Sequence, residues 1–498
     1  MDFISGLLLL CSNPVNFLII FLGVILGSVV GALPGLTAPM ALAIMAPFTF
    51  TMNPVTGISF LLGLLAGSVY GGSISSILVR IPGTPAAAAT VLDGYPLNQK
   101  GQGEKALGMA AVASAIGGCI SVIFLMTLAP LLAKIALSFG PPEYFALGMM
   151  GITTVVVSSS PEHLLKGMCA AFFGIFLCTI GLDPVGGSQR FTFGLIPLTR
   201  GIGIIPFLIG LFGLSQVLIS TFEIIENQEY YKRKIIFVKG ERLKWEEIKD
   251  NLFVILRGSL IGNFIGAIPG SGAATAAFLA YNIEKKISSK RLGTGVLEGV
   301  AAPESANNAI TGSSMLPMVT LGIPGDISAA IIMGAFLVLG IYPGPLIFER
   351  HGDFLWAIFI GFLIANIFMG FCGYFLAHYF TRVLLIPRNK LVAIILTLCI
   401  VGTYSADNNM FSILVMIVGG FLGYILRKGE FPLVPVVLGF ILGPIIETGF
   451  RTSLLMSRGN WSIFIQRPIS TSILLFTFLM LISPFINMSK ITNYFKKK

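Results

Sequence analysis

The sequence predicts an all-α polytopic membrane protein of two inverted structural repeats, with broken or re-entrant helices and about 11–12 transmembrane segments. Three observations lead to this prediction. Hydrophobic residues make up 55% of the 498-residue chain and charged residues only 11%, against roughly 25% charged in a soluble domain. Apolar runs of about 17–25 residues recur from end to end, and each is long enough to cross a hydrocarbon core of about 30 Å. The two halves of the chain also repeat the same Pro-Gly motifs in the same order.

The net charge and the placement of the cysteines and histidines argue against several classes of function. The formal net charge is +10, but the Lys and Arg residues lie in loops between apolar runs, where they set orientation, so nucleic acid is not expected as a partner. The six cysteines lie in or beside apolar segments without CxxC spacing and indicate packing. His163, His351 and His378 are too scattered for a metal site. Residues 1–14 contain no Lys or Arg, so we expect the first apolar segment to stay in the membrane.

A charged stretch divides the chain into three predicted regions. We expect an N-terminal membrane repeat at 1–222, a cytoplasmic linker at 223–251 and a C-terminal membrane repeat at 252–498. The linker mixes seven basic with seven acidic residues, which is typical of a surface helix or linker.

Paired motifs indicate that the two halves arose by duplication. GSVVGALPGLTA (Gly27–Ala38) matches GNFIGAIPGSGA (Gly262–Ala273), and IPGTPAA (Ile81–Ala87) matches IPGDISA (Ile323–Ala329). Late in each half, PFLIGLFG from Pro206 matches PVVLGFILG from Pro435. Matched Gly/Pro-interrupted segments in two halves of a membrane chain are a sequence indicator of a transporter's binding site.

Basic residues favour an inverted rather than a parallel repeat. The loop at 285–291 carries four basic residues, and its counterpart at about 48–57 carries none. Corresponding loops of inverted halves should differ in this way, which places the linker and the C-terminus in the cytoplasm. The basic loops near Arg190 and Arg451 fit inversion less well. Each first Pro-Gly pair could be the tip of a hairpin that enters and leaves by one face, although full spans at 15–33 and 252–268 are the alternative.

The first Pro-Gly pair of each half is a candidate anion site. We name them the first tip (Pro34, Gly35, Leu36 and Thr37) and the second tip (Pro269, Gly270, Ser271 and Gly272). A helix opens after each tip, and its unpaired N–H groups and dipole favour an anion. The alternative is that the tips are only breaks in packing.

The second Pro-Gly pair of each half is a candidate cation site. We name these the first break (Pro82, Gly83 and Thr84) and the second break (Pro324 and Gly325). The helices before them carry polar stripes with Ser73 and Ser76 in the first half, and Asn307, Asn308 and Ser314 in the second. The second stripe lies on a helix expected to begin at Pro303. Unwound carbonyls and such side-chain oxygens suit a cation such as Na⁺, but small and polar stripes also join helices.

Three carboxylates are possible ion or proton carriers: Asp93, Glu298 and Glu304. A carboxylate inside a membrane is costly and usually functional, although a position at the interface would cost little. No nucleophile–base motif, Walker loop or metal-ligand cluster is visible in the sequence, so an enzyme is not predicted.

Five motifs together resemble one known family: GALPGLTAPMALA, IPGTPAAAATVLDGYPL, GAIPGSGAATAAF, EGVAAPESANNA and LGIPGDISAA. They are similar to the TctA family, the large membrane subunit of tripartite tricarboxylate transporters, over about residues 18–450. The resemblance implies a bacterial inner-membrane secondary transporter that imports a small carboxylate such as citrate, driven by a Na⁺ or H⁺ gradient and needing no cofactor.

The same resemblance implies two protein partners, a small TctB-like membrane subunit and a periplasmic TctC-like solute-binding protein. It also implies recognition at the Pro-Gly tips and the Asn-rich helix. A passive organic-anion channel or facilitator would use the same helix ends and is the alternative function.

Overall fold

The computed structural model describes residues 3–159, 164–226 and 240–482. Among these residues, eight helices are long and apolar enough to cross a membrane, and four further apolar helices are 10–17 residues long. The chain is therefore an all-α polytopic membrane protein, as the sequence predicts. A total of about 11–12 transmembrane segments requires that the shorter apolar helices also enter the bilayer.

The helices of the first half follow the apolar runs of the sequence. They are α1 (Phe3–Cys11), α2 (Val15–Ala32), α3 (Ala38–Thr49), α4 (Pro54–Val79), α5 (Ala87–Gln99), α6 (Gly103–Ala136), α7 (Pro141–Ser159), α8 (Leu164–Cys178), α9 (Ile204–Leu208) and α10 (Ser215–Glu226). A π-helical stretch, Ile209–Leu214, joins α9 to α10. Two short antiparallel strands, β1 (Gly181–Leu182) and β2 (Gln189–Arg190), and a 3₁₀ helix, Ile196–Arg200, follow α8.

The helices of the second half begin at Trp245. They are α11 (Trp245–Gly266), α12 (Ala273–Ile287), α13 (Glu298–Ser313), α14 (Met315–Leu321), α15 (Ile327–Val338), α16 (Ile347–Arg350), α17 (Gly352–Phe380), α18 (Arg388–Asp407), α19 (Met410–Lys428), α20 (Leu433–Met456), α21 (Ile463–Gln466) and α22 (Pro468–Ile482). A 3₁₀ helix, Thr381–Leu385, links α17 to α18.

The chain forms two compact units, and each takes segments from both halves. Unit 1 contains Met1–Leu137 and Gly203–Lys428, and unit 2 contains Ser138–Ile202 and Gly429–Lys498. Within unit 2, α20 packs against α7 and α8. The compact units thus differ from the predicted repeats at 1–222 and 252–498, because equivalent helices of the two halves pack together in unit 1.

The first Pro-Gly pair of each half is the turn of a helical hairpin. Asn16 at the start of α2 accepts a hydrogen bond from Thr56 at the start of α4 (2.5 Å), and Thr49 at the end of α3 adjoins Gly57. Both ends of the α2–α3 pair therefore lie at one end of α4. Gly35 and Gly270 reverse the chain at positive φ, +89° and +81°, where a Cβ is disfavoured.

Equivalent helices of the two halves run antiparallel. In the α6–α17 contact, Gly118 lies against Asn366, Ala115 against Gly370 and Ala111 against Gly373, so one helix ascends as the other descends. Helix α4 runs parallel to α17, because Ser59 adjoins Gly361 and the Tyr70 hydroxyl donates to the Gly373 carbonyl (3.1 Å). This is the arrangement that an inverted repeat requires.

One predicted helix boundary was wrong. The Asn-rich helix does not begin at Pro303, since α13 starts at Glu298 and holds Pro303 in its interior. The start is fixed upstream because the preceding loop is bound by Asp93, and a membrane helix tolerates an internal Pro when its neighbours satisfy the freed backbone. Helix α10 continues to Glu226 and α11 begins at Trp245, and the cytoplasmic linker at 223–251 stays a prediction.

Some predicted features lie outside the described residues. They are the basic linker residues Lys232, Arg233, Lys234 and Lys239, the lone His163, and the C-terminal Lys496–Lys498.

Candidate solute and ion site

The second tip, the second break and an interruption between α13 and α14 meet at one place. The Gly270 N–H donates to the Gly325 carbonyl (2.7 Å), and the Gly325 N–H donates to the Ser314 carbonyl (3.1 Å). A Cβ on Gly325 would lie 2.5 Å from that Ser314 oxygen, so no side chain fits there. Three segments of irregular backbone are thus held together by direct hydrogen bonds.

The first break makes the equivalent contact in the first half. The Gly83 N–H donates to the Gly72 carbonyl of α4 (3.2 Å), and Gly72 stands where Ser314 stands in the second half. A Cβ on Gly83 would lie 2.6 Å from Gly72 Cα and 2.8 Å from the Gly31 oxygen at the end of α2. Thr84 Oγ1 accepts the Ala87 N–H (3.2 Å) and so satisfies a donor at the start of α5.

The first tip is the more accessible of the two tips. Gly35 is exposed, Pro34 and Thr37 are half-buried and Leu36 is buried. A Cβ on Gly35 would lie 3.3 Å from Gln216 Nε2, and Gln216 Oε1 accepts a hydrogen bond from Arg427 Nη1 (2.5 Å). A half-buried guanidinium therefore lies one side chain away from the first tip.

Each tip helix packs against the helix that follows the break of the other half. Ala86 and Ala89, after the first break, form a buried cluster with Ala277 of α12, and Ala273 packs against it. In the reciprocal contact, α3 packs against α15. The N-termini of α3, α5, α12 and α15 are thereby brought into one region of unit 1, where their dipoles can act on one anion.

Two of the predicted hydroxyl ligands bind backbone carbonyls. The Ser271 hydroxyl donates to the Ile268 carbonyl (3.0 Å) and also contacts the Ile265 carbonyl. The Ser76 hydroxyl donates to the Gly72 carbonyl (2.9 Å). Ser271 satisfies carbonyls at the end of α11, and Ser76 satisfies a carbonyl within α4.

A hydroxyl-lined carboxylate lies beside the first break. Glu304 of α13 is fully buried, and its Oε1 accepts hydrogen bonds from Ser73 of α4 (2.5 Å) and Thr90 of α5. Its Oε2 accepts one from Ser114 of α6 (3.0 Å). Ser73 and Thr90 lie on the two helices that flank the first break, so Glu304 connects one repeat to the irregular segment of the other.

The two predicted asparagines extend this buried cluster. Asn308 Nδ2 donates to Ser114 Oγ (2.7 Å) and to the Glu304 carbonyl (3.3 Å). Asn308 Oδ1 and Asn307 Nδ2 are buried and have no hydrogen-bond partner within the described ranges. Unpaired buried polar atoms are costly and are expected where a ligand, ion or water binds.

Asp93 and Glu298 have different environments from Glu304. Asp93 is fully buried and accepts hydrogen bonds of 2.7–3.0 Å from the Tyr281 hydroxyl and from the N–H groups of Gly293, Gly295 and Val296. It therefore holds the loop before α13 in place. Glu298 Oε1 pairs with Lys290 (2.6 Å), which is itself 58% exposed, so this carboxylate lies near the surface of unit 1.

Four polar residues of the site were missed by the sequence analysis: Thr90, Ser114, Gln216 and Arg427. Ser114 lies in an Ala/Gly-rich helix and is separated from Glu304 by 190 positions, so no local pattern connects them. Arg427 could have been noticed as a basic residue at the end of an apolar run, but nothing in the sequence places it beside the first tip. No cluster of potential metal ligands occurs among the residues that the structure describes.

Comparison with known proteins identifies related sequences. Residues 17–438 match the model of a family described as "Tripartite tricarboxylate transporter TctA family". No solved structure matches the chain.

Two proteins of Agrobacterium vitis are similar to it. One, described as "Uncharacterized 52.8 kDa protein in TAR-I ttuC' 3'region", is 37% identical over 479 residues, covering 95% of this chain and 94% of its own length. The other, "Uncharacterized protein in TAR-II ttuC' 3'region", is 38% identical over 215 residues, covering 43% of this chain and 89% of its own length.

Proposed function

The chain belongs to the tripartite tricarboxylate transporter TctA family, and from this premise we propose that it is the membrane subunit of a binding-protein-dependent secondary transporter. The proposed transporter imports a small carboxylate, such as a citrate-like tricarboxylate, and is coupled to a Na⁺ or H⁺ gradient. We place it in the inner membrane of a bacterium, as a multi-pass protein.

The observation that carries this proposal is the meeting of Pro-Gly segments from both inverted repeats. Backbone N–H and carbonyl groups at membrane depth are tolerated without helical partners only where they are buried in protein or line a wet cavity. Here the N-termini of four helices approach one region of unit 1. The positive ends of these helix dipoles suit the carboxylate groups of a solute.

Arg427 supplies a positive charge that fits an anionic solute. Its guanidinium donates one hydrogen bond, through Nη1, to Gln216 Oε1. A guanidinium carries five N–H donors in a planar fork that matches a carboxylate, so further donors are present for a solute. Gln216 adjoins Gly35 of the exposed first tip. We propose that Arg427 attracts the carboxylate and that Gln216 positions its side chain.

The coupling cation is assigned to the oxygen-rich cluster around Glu304. An anion that crosses a membrane alone moves its charge through a low dielectric, whereas an anion that moves with a cation does not. A carboxylate, three hydroxyls and an unpaired amide oxygen lie within one cluster. Binding of the cation near the first break would therefore neutralise the loaded site.

The family also suggests the partners. We propose that a small TctB-like membrane subunit completes the membrane complex and that a TctC-like solute-binding protein delivers the carboxylate from the periplasm.

Uptake into proteoliposomes tests the function. The chain and its small membrane partner are reconstituted, the solute-binding protein is added outside, and a panel of labelled carboxylates that includes citrate is offered under imposed Na⁺ or H⁺ gradients. We expect saturable uptake that requires the binding protein and one gradient. Uptake that needs no gradient and does not saturate would establish the facilitator or channel instead, and uptake of no carboxylate would contradict the substrate class.

Arg427 variants test the anion site in the same assay. Loss of a charge-assisted hydrogen bond costs about 1.5–3 kcal/mol, so Arg427→Gln should raise the KM for the carboxylate by about 10- to 150-fold. Lys428→Gln is the matched control, because Lys428 is exposed and lies over the Tyr424 ring. An unchanged KM in Arg427→Gln would remove Arg427 from the site.

A further inference from the structure

Glu304 is distinguished by what surrounds it. It is fully buried, and the side chains that donate to it are the hydroxyls of Ser73, Thr90 and Ser114. Among the residues that the structure describes, no cationic side chain forms an ion pair with it. A buried ionised carboxylate without a counter-charge is costly, so such a group binds a cation or takes up a proton.

The distances in the cluster favour a proton over a metal cation. Ca²⁺, which is close to Na⁺ in size, holds its oxygen ligands at about 2.3–2.6 Å, so ligands at right angles lie about 3.3–3.7 Å apart. Here Ser73 Oγ lies 2.5 Å from Glu304 Oε1 and Ser114 Oγ lies 3.0 Å from Oε2. These are direct hydrogen bonds, and they leave no space for a metal ion between the oxygens.

Three charged groups on the helices packed against α13 are bound to groups other than Glu304. Asp93 of α5 is bound by Tyr281 and loop N–H groups, Arg257 of α11 by Glu284 of α12, and Lys105 of α6 by Glu247 and Glu241. The phenol that faces Glu304 from α4 is Tyr70, and its hydroxyl donates to the Gly373 carbonyl. Glu304 is thus the carboxylate of this region that is free of an ion pair and of backbone N–H donors.

The cluster contains a second acceptor for the hydroxyl hydrogen of Ser114, which must turn away when Glu304 becomes protonated. Ser114 donates to Glu304 Oε2 and accepts from Asn308 Nδ2. Asn308 Oδ1 is buried and lacks a partner within the described part of the chain. If Oε2 becomes protonated and donates to Ser114 Oγ, the Ser114 hydroxyl can turn and donate a hydrogen bond to Oδ1 of a rotated Asn308 amide, so the protonated state provides an acceptor for the hydroxyl that it displaces.

We propose that the coupling ion is a proton and that Glu304, with Ser73, Thr90 and Ser114, is its binding site. This inference rests on the proposed function as a carboxylate transporter. One proton from the water outside binds Glu304 Oε2 as an O–H bond, travels with the solute, and is released to the water inside when that bond breaks. No other covalent bond changes.

The position of Glu304 explains how the proton and the solute are coupled. Ser73 and Thr90 lie on α4 and α5, on either side of the first break, and both donate to Oε1. Hydrogen bonds to an ionised acceptor are roughly twice as strong as neutral ones, so protonation weakens the connection across the first break. The first break precedes α5, whose N-terminus is one of the four proposed to face the solute, so the solute site is held differently in the two protonation states.

The test separates solute exchange from proton movement. Proteoliposomes that contain the chain and its small partner are loaded with a pH-sensitive dye, the membrane potential is clamped, and an outside-acid gradient is imposed in Na⁺-free buffer. The wild type should accumulate the carboxylate about tenfold per pH unit for each proton co-transported, and the lumen should acidify as solute enters. Glu304→Gln, which resembles the protonated residue, should keep exchange of labelled for unlabelled solute and lose both accumulation and acidification.

Two further variants make the outcome specific. Glu349→Gln changes an exposed glutamate outside the cluster and should behave as the wild type. Glu304→Asp keeps an ionisable group and should retain proton-coupled uptake with an altered pH profile, which a purely structural role of Glu304 would not produce.

Three results would overturn the inference. Acidification and accumulation at the wild-type level in Glu304→Gln would exclude Glu304 as the site. Carboxylate exchange by the wild type without acidification, with accumulation driven by a Na⁺ gradient, would exclude the proton while leaving the transporter function intact. Absence of any wild-type carboxylate exchange would instead refute the proposed function, and this inference with it.

Discussion

Substitution of Gly325 by Ala tests whether the close contact between the second break and the α13–α14 interruption is required. A Cβ on Gly325 would lie 2.5 Å from the Ser314 carbonyl oxygen and 2.8 Å from Ser314 Cα. Ordinary van der Waals contact begins at 3.4 Å, so the oxygen must retreat by 0.9 Å (3.4 − 2.5). The clashing atoms belong to the backbone, and no side-chain rotation can relieve them.

The expected cost has two parts. Overpacking in a well-packed core costs about 1–3 kcal/mol. The displaced backbone also carries two hydrogen bonds, Gly325 N–H to Ser314 and Gly270 N–H to Gly325, each worth about 0.5–1.5 kcal/mol. We therefore expect a destabilisation of about 2–6 kcal/mol if both bonds are lost.

The assay combines stability and transport. Gly325→Ala should lower the midpoint of unfolding in detergent and reduce carboxylate exchange in proteoliposomes at least tenfold. The matched control is Gly334→Ala in α15, where the nearest atoms lie at 3.5 Å and 3.9 Å and a helix interior favours Ala over Gly by about 0.5–1 kcal/mol. If Gly325→Ala unfolds and exchanges solute as Gly334→Ala does, the contact has no role in stability or transport.

Three further predictions concern other parts of the molecule. Asp93→Asn should destabilise unit 1 by about 1.5–3 kcal/mol, because it removes charge-assisted hydrogen bonds to the loop before α13. Denaturant unfolding measures this loss of stability, with Asp250→Asn as an exposed control. Equal stability of the two variants would contradict the role of Asp93. In unit 2, the Arg451 guanidinium, 2.6 Å from the Asp183 carboxylate, holds the pKa of Asp183 well below its usual range. Because the pKa is lower in the folded state, this interaction stabilises the protein at pH values above the unfolded-state pKa of about 3.9. The stabilisation is lost as the pH falls through the folded-state pKa. Arg451→Gln should therefore melt earlier than the exposed control Arg458→Gln at pH 5 and lose less stability between pH 5 and pH 3, and parallel pH profiles would refute the linkage. For the inverted repeat, single cysteines replacing the exposed Thr51 and Ser289 should react with a membrane-impermeant maleimide from opposite faces, Thr51→Cys in intact cells and Ser289→Cys only after permeabilisation; labelling from one face would contradict inversion.

The repeated motifs predicted the architecture around the site well. The pairs of Pro-Gly segments located both hairpin turns and both breaks, because a Pro lacks a helical N–H and a Gly at positive φ permits the reversal. The start of the Asn-rich helix was predicted wrongly at Pro303. The proline signal was read as a helix start, while the true start depends on the loop that Asp93 binds from another helix.

The composition of the site was less accessible to sequence reasoning. Glu304, Ser73 and Asn308 were recognised from their stripes, but the hydroxyls of Thr90 and Ser114 that complete the cluster lie on other helices. Gln216 of α10 lies beside the first tip, and Arg427 of α19 in turn donates to Gln216. The polar stripes predicted which residue types line the site, but which of these residues contact one another depends on how the helices pack.

The sequence by itself determined the membrane character, the duplication and the positions of the helix interruptions, because hydropathy and the backbone limits of Pro and Gly act locally along the chain. The tertiary structure alone decided which helices of the two halves pack together, that the compact units take segments from both halves, and that Glu304 is surrounded by hydroxyls. These features depend on contacts between residues far apart in the chain, such as the 303 positions between Tyr70 and Gly373, and small residues such as Gly117 and Gly118 permit them by close approach. Many helix pairings are compatible with the same stripe of small residues, so only the packed helices reveal which one forms.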